Sequence, residues 1–212
     1  MKKSAYKIAT KVRKEIFSYL GGEWTSAYEK AFLFDNQGKL AGKWVGTEGG
    51  IEAAGVMEKV AEIKRKSNYP IFVHTHPTMT SFSGVDFEEI ILDDALALGS
   101  QWIVTKNINF IFVPRDKKFL QNKEKIIAYI NEKQEYIWHN KEASRLLKEK
   151  AFKGENFPNA YKYFWNSYVT AMTAAFMGAD FSAVPLNKKG EKYCKLMKKG
   201  LKVLSGLELK IS

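Results

Sequence analysis

The stretch PIFVHTHPTMTSFSGVD, residues 70–86, restricts the fold more than any other part of the chain. It starts with a β-branched and aromatic run, Ile71 to Val73, which is typical of a buried strand. Pro77 ends that strand, because proline cannot donate to the hydrogen-bond ladder. After a five-residue loop, Ser83 introduces a helix that the spacing predicts from Gly84 to Leu98. The stretch therefore predicts a strand, a short loop and a helix.

Three side chains of this stretch have the chemistry of a metal site. His74 and His76 are two positions apart, so on a strand they point to the same face. Asp86 lies in the first turn of the following helix, where it can converge with them. Two imidazoles and a carboxylate suit Zn²⁺ and leave a fourth position open for water.

A simpler interpretation exists for each half of the pattern. A His-x-His pair occurs by chance on strands, and Ser83 with Asp86 is also a typical helix N-cap pair. The chain has 3 histidines in all, and two of them fall in this one pattern beside Pro77 and Asp86. The conjunction favours a metal site.

Patterns on either side of this stretch predict two parts, an α/β part at residues 1–118 and a basic, all-helical part at residues 119–212. Each of the predicted elements rests on apolar spacing and turn signals. The first part has helices at residues 3–20, 53–66 and 84–98 and strands at residues 31–35, 39–45, 70–75, 102–105 and 108–113. The second part has helical spacing at residues 122–153, 158–177 and 188–204.

The pattern His74, His76, Pro77, Ser83 and Asp86 resembles the JAMM motif of the MPN/JAB zinc metalloproteases. The resemblance covers about residues 5–115 and implies an α/β (α+β) fold, with a JAB/MPN-like central mixed sheet flanked by helices. It implies that His74, His76 and Asp86 hold Zn²⁺ and that Ser83 helps to stabilise the tetrahedral oxyanion.

The resemblance also implies a glutamate near the start of a core strand, which exchanges a proton with the zinc-activated water. Glu29 fits best, because it immediately precedes the predicted strand at residues 31–35. Glu23 and Glu48 are the alternatives. The implied activity is that of a peptidase or isopeptidase, which cleaves after the C-terminal tail of a ubiquitin-like or small carrier protein. The loop Thr47 to Gly50 is a candidate contact for that tail.

Composition bounds these expectations. The chain has 212 residues, of which 45% are hydrophobic, so a mainly disordered protein is excluded. The single cysteine, Cys194, excludes a disulfide framework and a cysteine-based zinc finger. We expect a cytoplasmic protein, since we find no secretory signal and no apolar run near the roughly 20 residues of a membrane helix.

The net charge of +11 is unevenly distributed. Residues 115–212 carry 20 Lys+Arg against 10 Asp+Glu, so the first 114 residues have a net charge of only +1. Lys188, Lys192, Lys195, Lys199 and Lys202 recur on one helix face. An acidic protein or a nucleic acid is therefore a possible partner of the basic helices. The alternative hypothesis is a non-catalytic JAB-fold module whose basic helices bind nucleic acid or a partner complex.

Overall fold

The computed structural model describes residues 2–21, 28–46, 51, 53–65, 69–76, 80–92, 99–115 and 122–211. Within these ranges the chain forms one six-stranded mixed sheet and seven α-helices. The strands are β1 (Lys30–Phe34), β2 (Leu40–Val45), β3 (Ile71–Thr75), β4 (Ser100–Val104), β5 (Ile108–Val113) and β6 (Asp180–Pro185). The helices are α1 (Lys2–Leu20), α2 (Ala53–Arg65), α3 (Gly84–Leu92), α4 (Lys123–His139), α5 (Lys141–Leu146), α6 (Phe157–Met177) and α7 (Lys188–Ile211), and a π-helical turn (Leu147–Ala151) follows α5.

The strand order is β2-β1-β3-β4-β5-β6. Only β3 and β4 run parallel, and α3 belongs to the crossover between them. The other neighbouring strands are antiparallel. Because β1 is antiparallel to β3, the first residues of β1 lie beside the carboxyl end of β3, where α3 also begins. This mixed α/β architecture confirms the predicted fold class at the level of its sheet and helices.

Helices cover both faces of the sheet, since successive side chains of a strand alternate between them. On one face, Val12, Ile16 and Leu20 of α1 pack with alternate residues of β1, β3 and β4. On the other face, α2 packs against β1 through Val56, Val60 and Ile63, which contact Leu33.

The basic part of the chain supplies the rest of that second face. Its buried side chains form one hydrophobic cluster with residues of the loop before α3, of α3, of β4 and of β5. The shared cluster includes Phe82, Phe87, Ile103, Phe110 and Phe112 from the first part and Ile130, Phe152, Phe164, Tyr168 and Leu204 from the second. The division of the chain into two domains at residue 118 stays a prediction. Residues from before and after this position pack in one hydrophobic cluster.

The expectation that residues 119–212 are all helical is wrong at one element. Asp180–Pro185 forms β6, which pairs antiparallel with β5 along its whole length. Phe181 and Ala183 pack against the shared cluster while Ser182 between them is exposed, which is the two-residue alternation of a half-buried strand. Pro185 is tolerated because β6 is at the edge of the sheet.

The helical spacing predicted over residues 122–153 contains a break. Asn140 has an extended ψ of 97° and caps α5, its side chain accepting a hydrogen bond from the Ala143 N–H at 2.8 Å. Asparagine favours such local bonds over a helix interior, so α4 ends and a new helix begins. Among the described helices, none combines the length and the apolar character that crossing a membrane requires.

The shared cluster implies that the sheet and the C-terminal helices unfold together. Phe164 of α6 is 1% exposed and packs edge-to-face on Phe152. We expect Phe164→Ala to lower the free energy of unfolding by about 3–5 kcal/mol, because it leaves a cavity. In urea unfolding followed by circular dichroism, helix and sheet signals should shift together in one transition. The control Phe176→Ala, at a half-exposed ring stacked on Tyr129, should cost about 1 kcal/mol. An unshifted sheet transition beside a shifted helical one would contradict a common core.

Candidate metal centre

Three elements converge at the carboxyl end of β3. His74 lies on that strand, and His76 follows its last residue, with its backbone N–H donating to the Val104 carbonyl at 3.2 Å. β1 starts beside them, since Ala31 is paired with His74 and the Lys30 N–H donates to Thr75 Oγ1 at 2.9 Å. The first turn of α3 brings Asp86 to the same place.

The side chains of His74, His76 and Asp86 meet at short distances. The Nε2 atoms of the two imidazoles are 3.1 Å apart. Asp86 Oδ1 lies 3.0 Å from His74 Nε2, and Asp86 Oδ2 lies 3.9 Å from His76 Nε2. The two histidine side chains are each 9% exposed and the aspartate 13%. A buried cluster of nitrogen and carboxylate oxygen atoms has the composition of a cation site.

Glu29 completes the cluster from the start of β1. Its Oε1 lies 3.6 Å from His76 Nε2, and its side chain is 37% exposed. Glu29, His74 and His76 each offer one ligand atom, and these atoms lie within 4.8 Å of one another. The three residues could therefore hold a metal ion, with Glu29 on the side that faces solvent.

The environment of His76 keeps Nε2 available as a ligand. Its Nδ1 lies 3.2 Å from the carbonyl oxygen of Thr80 and 3.1 Å from Thr80 Oγ1. A carbonyl only accepts, so the ring proton belongs on Nδ1 and the lone pair on Nε2 points at His74 and Asp86. Burial, together with the neighbouring His74, lowers the pKa of His76 to about 4. The imidazole is therefore neutral near pH 7, as metal ligation requires.

Ser83 and Asp86 form a reciprocal capping box at the start of α3. The Ser83 N–H and Oγ–H donate to Asp86 Oδ2 at 2.5 and 2.7 Å, and the Asp86 N–H donates to Ser83 Oγ at 3.2 Å. This arrangement occupies Oδ2 and leaves Oδ1 directed at His74. Burial alone would raise the pKa of Asp86, but His74, His76 and the Ser83 N–H together hold it well below its usual range. The carboxylate stays ionised.

Residues 80–83, which lead into α3, are anchored by the C-terminal part of the chain. Ser81 is fully buried, and its Oγ lies 3.1 Å from Thr170 Oγ1 on α6. Thr170 directs its own proton to the Asn166 carbonyl at 2.7 Å, so the Ser81 hydroxyl donates to Thr170. The Asn166 side-chain amide donates to the Ser81 carbonyl at 3.4 Å. Helix α6 thus fixes the backbone between Thr80 and Ser83.

The structure brings together the five residues that the sequence singled out: Glu29, His74, His76, Ser83 and Asp86. The helix-cap and the metal-site interpretations of Ser83 and Asp86 are compatible, because the same pair caps α3 and contributes a carboxylate to the cluster. Pro77, the alternatives Glu23 and Glu48, and the loop Thr47 to Gly50 lie outside the described residues.

Sequence reasoning missed the supporting residues Thr80, Ser81 and Thr170. Thr80 and Ser81 belong to a polar loop that looks like any connection. Thr170 lies 89 positions after Ser81 in the chain, in an apolar helix, and no local pattern links it to the loop.

The comparisons with known proteins found no match: none among protein-family models, none among curated proteins and none among solved structures. The chemistry of the site therefore rests on its own residues.

The anchor of the loop can be tested by a double-mutant cycle. We expect Thr170→Val to lower the free energy of unfolding by about 1–3 kcal/mol, because the buried Ser81 hydroxyl loses its acceptor. Thr170→Ser keeps the oxygen and should cost less. Combining Thr170→Val with Ser81→Ala removes both partners and should restore part of the loss. Strictly additive losses in urea denaturation would show that the two hydroxyls are not coupled.

Proposed function

We propose that the protein is a zinc-dependent peptidase or isopeptidase of the JAMM type. One observation supports this more than any other: His74, His76 and Asp86 converge at 3.0–3.9 Å at the end of a strand, with Glu29 on their solvent side. Two histidines and a carboxylate leave a fourth position open at zinc, which is what hydrolytic zinc sites have in common.

The distances between the three ligand atoms support zinc as the ion. Ligands about 2.0–2.1 Å from a tetrahedral Zn²⁺ are about 3.3 Å from one another. Two of the separations lie close to that value: the two Nε2 atoms are 3.1 Å apart, and Asp86 Oδ1 lies 3.0 Å from His74 Nε2. Both histidines use Nε2, and Thr80 and Ser83 hold the outer atoms of His76 and Asp86, as outer partners do around zinc ligands.

In the proposed reaction, a bound zinc would lower the pKa of a water molecule and polarise the carbonyl of the scissile bond. Glu29 would accept the proton of that water at Oε1 and return it to the leaving amine. Its partial exposure suits this task, since substrate and water must both reach it. The predicted oxyanion role of Ser83 requires its only hydroxyl proton, which Asp86 holds in the resting chain.

The proposed substrate is the C-terminal tail of a ubiquitin-like or small carrier protein, as the JAMM resemblance implies. An extended tail can add to the edge of a sheet through backbone hydrogen bonds. β2 is an edge strand, and its last residue, Val45, is 67% exposed and paired with Lys30, next to Glu29. A tail running along β2 would therefore end beside the proposed proton acceptor.

The proposal predicts that metal binding and catalysis separate by mutation. We expect the wild type to bind one zinc per chain and His76→Ala to lose it, measured by metal analysis after dialysis. Glu29→Gln should retain zinc but cleave a ubiquitin-like fusion about 10²–10⁴-fold more slowly, because it cannot accept the proton. Glu124→Gln, at an exposed site on α4, is the matched control. A chain without zinc, or equal cleavage in all four forms, would refute the proposal.

Ser83→Ala tests the double use of the capping box. Loss of the cap should lower the free energy of unfolding by about 1 kcal/mol. Since Asp86 loses a donor that orients it, zinc affinity should fall about 10–100-fold. Ser83→Thr keeps the hydroxyl and should preserve both quantities. Competition with a chromophoric zinc chelator measures the affinity, and an unchanged affinity in Ser83→Ala would show that the serine does not position the ligand.

A further inference from the structure

The exposed face of α7 carries a stripe of lysines that the proposed hydrolysis does not use. The stripe consists of Lys188, Lys192, Lys195, Lys199 and Lys202, all of them exposed. At 100° per residue these five positions fall within one narrow arc of the helix. They lie opposite the residues that α7 buries in the core: Tyr193, Cys194, Met197 and Leu204.

The charge of the stripe is almost uncompensated. From Lys188 to Lys202 the sequence has seven lysines and one acidic residue, Glu191. Within the part of the chain that the structure describes, Lys192 is the one member of the stripe with an ion-pair partner, Glu155 at 2.8 Å. Lysines three and four positions apart repel one another and weaken the helix. A bound polyanion would remove this repulsion.

The composition of the stripe distinguishes between the possible anionic partners. Protein interfaces have an apolar or aromatic centre and are depleted in lysine. Along α7 as far as Gly206, where its described side chains end, no large hydrophobic side chain is exposed. A membrane surface requires an apolar helix face that can enter the lipid, and between Lys188 and Leu204 the apolar face of α7 is already buried in the core. A row of lysines alone suits the phosphate backbone of a nucleic acid, which is recognised by charge.

We infer that α7 is a sequence-independent binding surface for the phosphate backbone of nucleic acid. Five lysines span about 21 Å along the helix at 1.5 Å per residue. Duplex DNA has one charge per about 1.7 Å of its axis, so each lysine has a phosphate within reach. The π-helical turn (Leu147–Ala151) packs beside α7 and carries two more exposed lysines, Lys148 and Lys150.

Fluorescence anisotropy with a labelled DNA duplex of about 24 base pairs tests this surface in the full chain. Five phosphate contacts predict that affinity falls about 500-fold between about 50 and 200 mM salt. In the triple variant Lys195→Gln, Lys199→Gln, Lys202→Gln, the same change of salt should lower affinity only about 12-fold. The melting temperature should be unchanged or higher, since like-charge repulsion decreases and glutamine forms helices well.

The matched control changes the same net charge elsewhere, at the exposed Lys14, Lys39 and Lys125. Lys14→Gln, Lys39→Gln, Lys125→Gln should keep the wild-type salt slope. The experiment is repeated with a single-stranded RNA of similar length. For this RNA, a slope of about −0.7 per contact in a plot of the logarithm of affinity against the logarithm of salt concentration supports the same surface. Equal salt slopes for the two triple variants would overturn the inference. Tighter binding to polyglutamate than to both nucleic acids at one salt concentration would overturn it too.

Discussion

The register between β1 and β3 is the constraint on which the candidate metal centre depends. Ala31 is paired with His74, so the residue that precedes β1 lies across from the residue that follows β3. This pairing places Glu29 and His76 side by side without any contribution from their own side chains. A shift of one residue would turn the histidines to the opposite face of the sheet, where α1 packs on Val73. Burial of Phe32, Phe34 and Val73 under α1 therefore also fixes where the polar cluster can form.

The second requirement is that the chain from Thr80 to Asp86 keeps one conformation beside His76. Hydrogen bonds within this segment are local: Thr80 holds His76, and Ser83 holds Asp86. What fixes the segment as a whole comes from a distance, through Ser81 and Thr170. A buried hydroxyl is expensive to leave unpaired, so this contact specifies the position of the loop. The C-terminal part of the chain is thus a structural element of the candidate metal centre as well as its neighbour.

Much of this could be predicted because it is local. The strand that carries His74, the helix that begins near Asp86 and the placement of Glu29 before a strand all follow from periodicity and short spacing. β6 could not be predicted with the same rules. Its six residues include a proline, which is typical of a loop, and they form a strand because they pair with β5, which is distant in sequence. The helix break at Asn140 is only weakly indicated by the sequence, through an asparagine within a stretch of helical spacing. The bond between Ser81 and Thr170 is not indicated at all, since it depends on how α6 packs over the sheet.

The packing of α6 also determines how the basic surface relates to the metal centre. Tyr193 of α7 donates to the Tyr163 carbonyl of α6 at 2.5 Å, and its hydroxyl lies 2.9 Å from Ser167 Oγ. Burial raises the pKa of this tyrosine far above its usual value, so its proton is kept for these bonds at any physiological pH. One turn further along α6, Thr170 holds the loop of the candidate metal centre through Ser81. The basic stripe and the candidate metal centre are thus connected through one helix, because α6 contacts both α7 and the loop that carries Ser81.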